Sequence, residues 1–347
     1  HWFQHTCPSG ETCPWYSWSD DEWAGHDERA YYGGYGHLIT EGDTQTDEQG
    51  RLTVEVPADI TKERGSRRFT VEVSVVDVNG QQVSNRTEAI VHKGEFYIGV
   101  APRGYLAAAG EEKEIDILAV DWDGVPVSDL PLTTVFMEHR WYSVRKQADD
   151  GGFYWEWIAR DTPVLTTTVT TDGEGQAMAA FAPSQAGSYR VRTRGYDAQG
   201  NEIQSSAYFW VWGGEYVSWR RESNNRIELI ADREKYQVGG VAEILVPSPY
   251  SGTVHALVTV ERGRIMEAEV RELETNSEVL RIPITEEHVP NIFVSVIIVQ
   301  GSDPAPDGLA TFKMGVVKLP VSVASKELSI TLTADRDMDS GGLSFGS

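Results

Sequence analysis

The stretch Tyr189-Arg190-Val191-Arg192-Thr193-Arg194, closed by Asp197-Ala198-Gln199-Gly200, decides the fold. Large or apolar and polar residues alternate with period two, as a half-buried antiparallel strand requires, and an Asp-x-x-Gly turn follows. The same reading applies to Arg51-Leu52-Thr53-Val54-Glu55-Val56 and to Phe69-Thr70-Val71-Glu72-Val73-Ser74-Val75, so each sheet is expected to have one dry face. Turn signals recur at Asp77-Val78-Asn79-Gly80, Asp121-Trp122-Asp123-Gly124 and Thr171-Asp172-Gly173-Glu174-Gly175. No long stretch holds a helical period. Short strands at regular spacing predict an all-β chain of tandem immunoglobulin/fibronectin-like antiparallel β-sandwiches.

The chain has 347 residues, enough for several domains of about 100 to 150 residues each. Its hydrophobic share is 40%, with 11 Trp and 14 Tyr, which excludes the signature of disorder. A net charge of −23 repels phosphate backbones, so nucleic acid is not an expected partner. Apolar runs such as Ile292 to Val299 fall short of the roughly 18 residues that cross a bilayer, and no transmembrane segment or signal peptide is read. A soluble mature protein, or a piece of one, is expected.

Order repeats at domain scale. Ala231-Asp232-Arg233-Glu234-Lys235-Tyr236-Gln237-Val238-Gly239 opens one unit, and Ala334-Asp335-Arg336-Asp337 opens another where the first would end. Thr46 to Arg51 and Thr171 to Gln176 are each followed by an expected strand, a proline at 57 or 183, a second strand and an Asp-x-x-Gly turn. The expected modules are 1–96, aromatic-rich, then 97–215, 216–325, and 326–347 as the first strand of a further domain with a Gly/Ser-rich tail. Phe96 to Val100 and Arg226 to Ile230 are read as opening strands.

The series in 216–325 carries a family resemblance. After Ala231 to Gly239 come Leu245-Val246-Pro247-Ser248-Pro249-Tyr250, Ala256-Leu257-Val258-Thr259-Val260-Glu261-Arg262, Ile282-Pro283-Ile284-Thr285, Val289-Pro290-Asn291-Ile292-Phe293-Val294-Ser295-Val296 and Val316-Val317-Lys318-Leu319-Pro320-Val321. In that order these resemble the alpha-2-macroglobulins in their bacterial form. Thr166 to Asp172 and Pro183 to Asp197 look like the preceding macroglobulin-like domain. The resemblance implies part of a secreted, extracellular or periplasmic protease inhibitor, not an enzyme. Its partners would be target proteases and the other domains of the parent chain. A protease cuts a bait segment, the domains rearrange, and a thioester from a Cys-x-Glu-Gln motif captures the attacker. Neither cysteine here is followed by Glu-Gln, and the bait of the family follows the domain that ends near Val323. Bait and thioester are therefore expected outside this chain, which is read as framework.

Other motifs carry less. Cys7 and Cys13 share one loop and fit a local disulfide, implying an oxidising compartment, or two free thiols. A metal site from His1, His5, Cys7 and Cys13 matches no regular zinc spacing. Asp121 to Gly124 lacks the remaining ligands of a Ca²⁺ loop and reads as a hairpin turn. Gly342-Leu343-Ser344-Phe345-Gly346 matches a nucleophile elbow with no acid or His after it. Glu111-Glu112 and Glu286-Glu287 are read as solvated charge, each pair splitting across the faces of an exposed strand. No cofactor is expected.

Two features bear on partners. Trp141, Tyr142, Tyr154, Trp155 and Trp157 crowd a hairpin, and Trp2 to Tyr35 hold a second aromatic cluster. Exposed in a groove, such rings would bind glycan or protein; buried, they would pack one domain on another. The loop containing Asp303, Pro304, Ala305, Pro306, Asp307, Gly308 and Leu309 reads as protease-accessible, an ordinary variable loop or an accessory bait. A secreted adhesin or glycan-binding array of immunoglobulin-like domains is the competing class, and it leaves the ordered series in 216–325 unexplained.

Overall fold

The computed structural model describes residues 16–20, 38–63, 65–77, 79–147, 153–214, 216–219, 224–301, 311–326 and 328. In chain order the strands are β1 Arg67–Val76, β2 Gln82–Val91, β3 Phe96–Pro102, β4 Leu106–Ala108, β5 Lys113–Asp121, β6 Pro131–Gln147, β7 Phe153–Thr170, β8 Gln176–Phe181, β9 Gly187–Tyr196 and β10 Glu202–Trp212. They continue as β11 Ile230–Ala231, β12 Val241–Pro247, β13 Val254–Glu261, β14 Ile265–Leu273, β15 Ser277–Pro283, β16 Asn291–Gln300 and β17 Thr311–Pro320.

Two sandwiches result. In the first, the sheet β3-β5-β8 packs on the sheet β4-β10-β9-β6-β7. Its core joins Ile98, Val100, Ile115 and Ile117 to Leu132, Phe136, Val191, Phe209 and Val211, all fully buried. In the second, β11-β12-β15 packs on β14-β13-β16-β17. Its core is aliphatic: Ile244, Val246, Leu280 and Ile284 face Ala256, Val258, Val294, Val296 and Leu319. The alternation read along β9 supplies one inward row, and β13 shows a similar alternation at its start. The pairings between these strands are antiparallel except β4 with β10, and two single-residue bridges, Arg226 to Met314 and Tyr236 to Val321, are also parallel.

One turn chemistry recurs along the chain; it closes the β1–β2 and β9–β10 hairpins and elsewhere reverses the chain between segments that do not pair as strands. At Asp47, Asp77, Asp121, Asp172 and Asp197, the carboxylate Oδ1 accepts from the backbone N–H groups two and four residues on, at 2.8–3.0 Å. Each carbonyl accepts from the N–H of the glycine three residues later. Those glycines all have positive φ, from 70 to 82°. The Asp-x-x-Gly pattern is therefore a self-contained turn, and Asp121 to Gly124 is one of its copies.

The structure corrects four readings. Arg51 to Val56 forms no strand, since Leu52 and Val54 lie exposed with no partner strand among the described residues. The β1–β2 hairpin forms, but Val73, Val75 and Val83 are exposed because no sheet covers them among the described residues. Arg226 to Ile230 is not one continuous strand: Arg226 bridges in parallel to Met314 on one sheet, and Ile230 pairs with Leu245 on the other. Glu286 and Glu287 sit in a 3₁₀ turn, Glu286–His288, rather than on a strand, with His288 buried beneath.

Gly175 and Gly200 occupy the same turn position in different surroundings. A Cβ on Gly175, at φ +70°, would lie 2.5 Å from the Ala119 carbonyl, whereas on Gly200, at φ +82°, it would meet nothing within 4 Å. Gly200→Ala is expected to cost about 1–2 kcal/mol, the left-handed penalty alone, and Gly175→Ala at least about 3 kcal/mol. Urea denaturation of the two variants checks the contrast, and equal costs would contradict it.

Candidate functional site: the joint between the sandwiches

The nonapeptide Ala231 to Gly239 builds a joint. Asp232 is held by three contacts. Its Oδ1 accepts from the Tyr236 hydroxyl at 2.8 Å and from the Glu243 N–H at 2.9 Å, and its Oδ2 lies 3.1 Å from Arg233 Nε. Tyr236 is tied in turn to the far end of the second sandwich: its N–H donates to the Pro320 carbonyl, and its carbonyl accepts from the Ser322 N–H. The short motif thus spans its own sandwich and fixes the outward-facing atoms of 232–234.

Those atoms meet the first sandwich at Tyr105, in the loop before β4. Its N–H donates to the Asp232 carbonyl at 2.8 Å, its carbonyl accepts from the Trp210 N–H at 2.8 Å, and its hydroxyl donates to Glu234 Oε1 at 2.8 Å. Burial raises the Glu234 carboxyl above its ordinary range despite that hydrogen bond, and burial with the nearby Glu234 charge raises the Tyr105 phenol. Gly104 permits the close approach, at φ +76° with a Cβ position 3.3 Å from the Asp232 carbonyl.

The other half of the joint is the segment after β10. Val217 and Trp219 are buried with Leu106 and Leu245, against Ala186, Trp210, Trp212, Ile230 and Val279. Asn276, 4% exposed, grips this segment. Its Oδ1 accepts from the Val217 N–H at 3.0 Å, its Nδ2 donates to the Val217 carbonyl at 2.7 Å, and its own carbonyl accepts from the Trp219 indole N–H at 2.6 Å. Ser277 Oγ donates to the Gly213 carbonyl at 2.8 Å, and the Arg281 guanidinium lies 5.9 Å from the Trp212 ring centre. Burying an indole of roughly 200 Å² contributes several kcal/mol at about 25 cal/mol/Å². The amide bonds set the register in which that area is buried.

A cleft of about 700 Å³ opens beside the joint, lined among others by Arg103, Lys113, Trp212, Asp232, Glu243 and Arg281. Lys113 is held by backbone: Nζ donates to the carbonyls of Arg103 at 2.7 Å and Leu106 at 3.0 Å. Burial lowers its pKa to about 8, against the opposing pull of Glu111 and Asp232. Opposite charges pair around it, Arg103 with Asp116 at 2.8 Å and Glu243 with Arg281 at 2.9 Å.

A second cluster straps residues 16–20 onto the first sandwich. Ser17 and Val100 exchange backbone hydrogen bonds, and the rings of Tyr16 and Trp18 pack on Tyr97, Leu118 and Val120. Asp20 pairs with Arg190 at 2.8 Å and Arg192 at 3.2 Å, and Arg190 pairs with Asp161 at 2.7 Å, which also meets His139 Nδ1 at 2.6 Å. The side chains of Asp20 and Arg190 are almost wholly buried, so loss of either leaves the other, in a buried site, with one ionic partner fewer.

The sequence-predicted residues fall elsewhere. Trp141 is buried edge-on to His139 at 5.0 Å, whereas its neighbour Tyr142 is exposed. Both lie where β6 continues past β9 and pairs with β7 alone. The side chains of Tyr154, Trp155 and Trp157 lie outside the described residues, as do Cys7, Cys13, the loop 303–309 and Gly342 to Gly346. Among the described residues no group of three or more His, Cys, Asp or Glu could hold a metal, and no helix is long and apolar enough to cross a membrane. Sequence reading missed Trp210, Trp212, Val217, Trp219 and Asn276. The aromatic run Tyr208-Phe209-Trp210-Val211-Trp212, denser than a one-sided strand needs, is the signal that could have found the joint.

Comparison with known proteins assigns both sandwiches. Residues 99–213 match the family model for bacterial macroglobulin domain 6, and residues 227–341 match that for the alpha-2-macroglobulin bait region domain. An alpha-2-macroglobulin homolog of Nostoc sp. is 22% identical over 236 residues, 68% of this chain and 12% of the relative. The alpha-2-macroglobulin of Pasteurella multocida is 23% identical over 267 residues, 76% of this chain and 14% of the relative. The chain thus spans about an eighth of the length of these curated relatives. The native conformation of Escherichia coli alpha-2-macroglobulin aligns with a TM-score of 0.44 at 18% identity, covering 89% of this chain and 20% of that one.

The Lys113 environment sets a pH dependence with a defined sign. Between pH 8 and 10.5 the unfolded lysine keeps its proton while the folded one loses it, so this group makes stability rise with pH across that window. Urea titrations of the chain and of Lys113→Met are expected to diverge there, with only the native chain gaining stability from this source. Parallel profiles would contradict the assignment.

Proposed function

We propose, for a chain that belongs to the bacterial alpha-2-macroglobulin family, that it forms part of the structural framework of a broad-spectrum protease inhibitor. The parent protein would act outside the cytoplasm, in the periplasm or beyond, and trap proteases by changing shape once its bait is cut. In this reading 97–215 and 216–325 are consecutive macroglobulin-like domains. The second serves as the mounting of the bait, which follows it past Val323. The thioester, if the parent has one, lies elsewhere, since neither Cys7 nor Cys13 is followed by Glu-Gln.

The observation that carries the reading is the joint. The motif that carries the family resemblance, Ala231 to Gly239, is the element that fastens the sandwich matched to the bait region domain onto the sandwich matched to domain 6. Movement begun at the bait would pass through Asp232, Tyr105 and the Asn276 amide into the preceding domain. A framework that transmits displacement needs such paired contacts, because a loose linker would absorb it.

The test uses the full-length parent with trypsin, following bait cleavage on gels and residual activity against a large protein substrate. The parent is expected to be cut at one segment and to suppress that activity, with a covalent adduct that methylamine pretreatment removes if a thioester is present. Asn276→Ala in the parent is expected to leave bait cleavage unchanged and weaken suppression by about tenfold, the loss of roughly 1.4 kcal/mol of coupling. Full protease activity after cleavage of the native parent would overturn the reading.

A further inference from the structure

Two of the rows on the outer face of the sheet β14-β13-β16-β17 are largely apolar, and no described element covers them. Reading across the strands, Val270, Leu257, Ile297 and Met314 stand in one row; His255, Val299 and Phe312 form the row on one side, and Ala268, Thr259, Ser295 and Val316 the row on the other. Val270 is 70% exposed, and Leu257, Val299, Phe312, Met314 and Val316 are all exposed as well. The charged groups sit at the margin, Glu272 beside His255 and Glu261 and Lys318 flanking Phe293, while Thr259 and Ser295 are the polar, buried members of the third row. An apolar centre with a charged rim is the anatomy of a protein interface, and in a chain of net charge −23 an uncharged sheet face is conspicuous. The edge is guarded differently. On β14 the other face carries Glu267, Glu269 and Arg271, which discourages strand addition, so contact through the face rather than the edge is favoured.

We infer that this face is a docking surface for another β-sandwich domain of the parent chain, a partner presenting its own apolar sheet face with a cation opposite Glu272 or Glu261. Size decides between that occupant and a second copy. Four strands about 4.8 Å apart and three rows about 7 Å apart give a patch of roughly 400 Å², half the roughly 800 Å² per partner that a stable dimer needs. It suffices for contact between domains of one chain, where the tether raises effective concentration to about the millimolar range. The curated relatives, of whose length this chain spans 12 and 14%, have most of their length outside the matched region. The inference rests on the family reading above, which supplies the parent.

Hydroxyl-radical footprinting with mass spectrometry separates the cases, comparing this 347-residue chain with the full-length parent before protease is added. Oxidation of Met314 and Phe312 is expected to be fast in the isolated chain and about tenfold slower in the parent, because interface cores exclude water. Val299→Glu should leave the Tm of the isolated chain unchanged and lower that of the parent. Equal oxidation rates in chain and parent would overturn the inference, even if the parent traps protease as proposed. Concentration-dependent dimerisation of the isolated chain that Val299→Glu abolishes would also overturn it, by making a second copy the occupant.

Discussion

Asn276 lies between β14 and β15, in a turn of the second sandwich, yet its side chain completes the backbone of Val217 in the segment leaving the first. A primary amide is suited to this, since it can donate and accept in one plane and so satisfy the N–H and the C=O of a single residue together. Both backbone groups are buried, and a buried amide left without a partner costs about 1–3 kcal/mol, so the segment has one favourable register. That register turns the Trp219 indole N–H onto the Asn276 carbonyl and its ring into the apolar cluster with Leu106 and Leu245. Polar specificity and apolar area are supplied at the same point. Without the amide the area would still attract, but several seatings of the two sandwiches would compete.

The opposite side of the joint follows the same logic with different groups. Asp232 is locked from within by Tyr236 and Glu243, which frees its carbonyl to accept from Tyr105. Charge at the joint is balanced locally, and Lys113 uses backbone carbonyls in place of a carboxylate. An exposed ion pair contributes little and tolerates rearrangement, whereas these buried contacts lose their partners if the sandwiches shift. A framework meant to carry displacement from one domain to the next needs contacts of the second sort.

Much of this fold was legible because its determinants are local. The Asp-x-x-Gly turn is satisfied within five residues, so Asp172 announces its turn and Asp197 its hairpin from sequence alone, and period-two alternation marks the strand before Asp197. Arg51 to Val56 shows the limit: the same alternation forms no strand where no described partner lies alongside, and pairing is not encoded in the segment itself. The joint was less legible still. Ala231 to Gly239 stood out as a motif, but Tyr105 and Asp232 are far apart in the chain, and Asn276 in Glu274-Thr275-Asn276-Ser277 looks like any turn asparagine. The aromatics that attract attention in the sequence, Trp141 and Tyr142, lie on the hairpin arm, while Trp212 and Trp219 make the contact between domains.

Urea unfolding followed by hydrogen exchange, read peptide by peptide, tests the coupling most directly. Peptides from β9 and β10 should lose protection at the same urea concentration as peptides from β12 and β13, and Asn276→Ala should separate the two transitions. Separate transitions in the native chain would contradict the claim that the joint makes the sandwiches one cooperative unit.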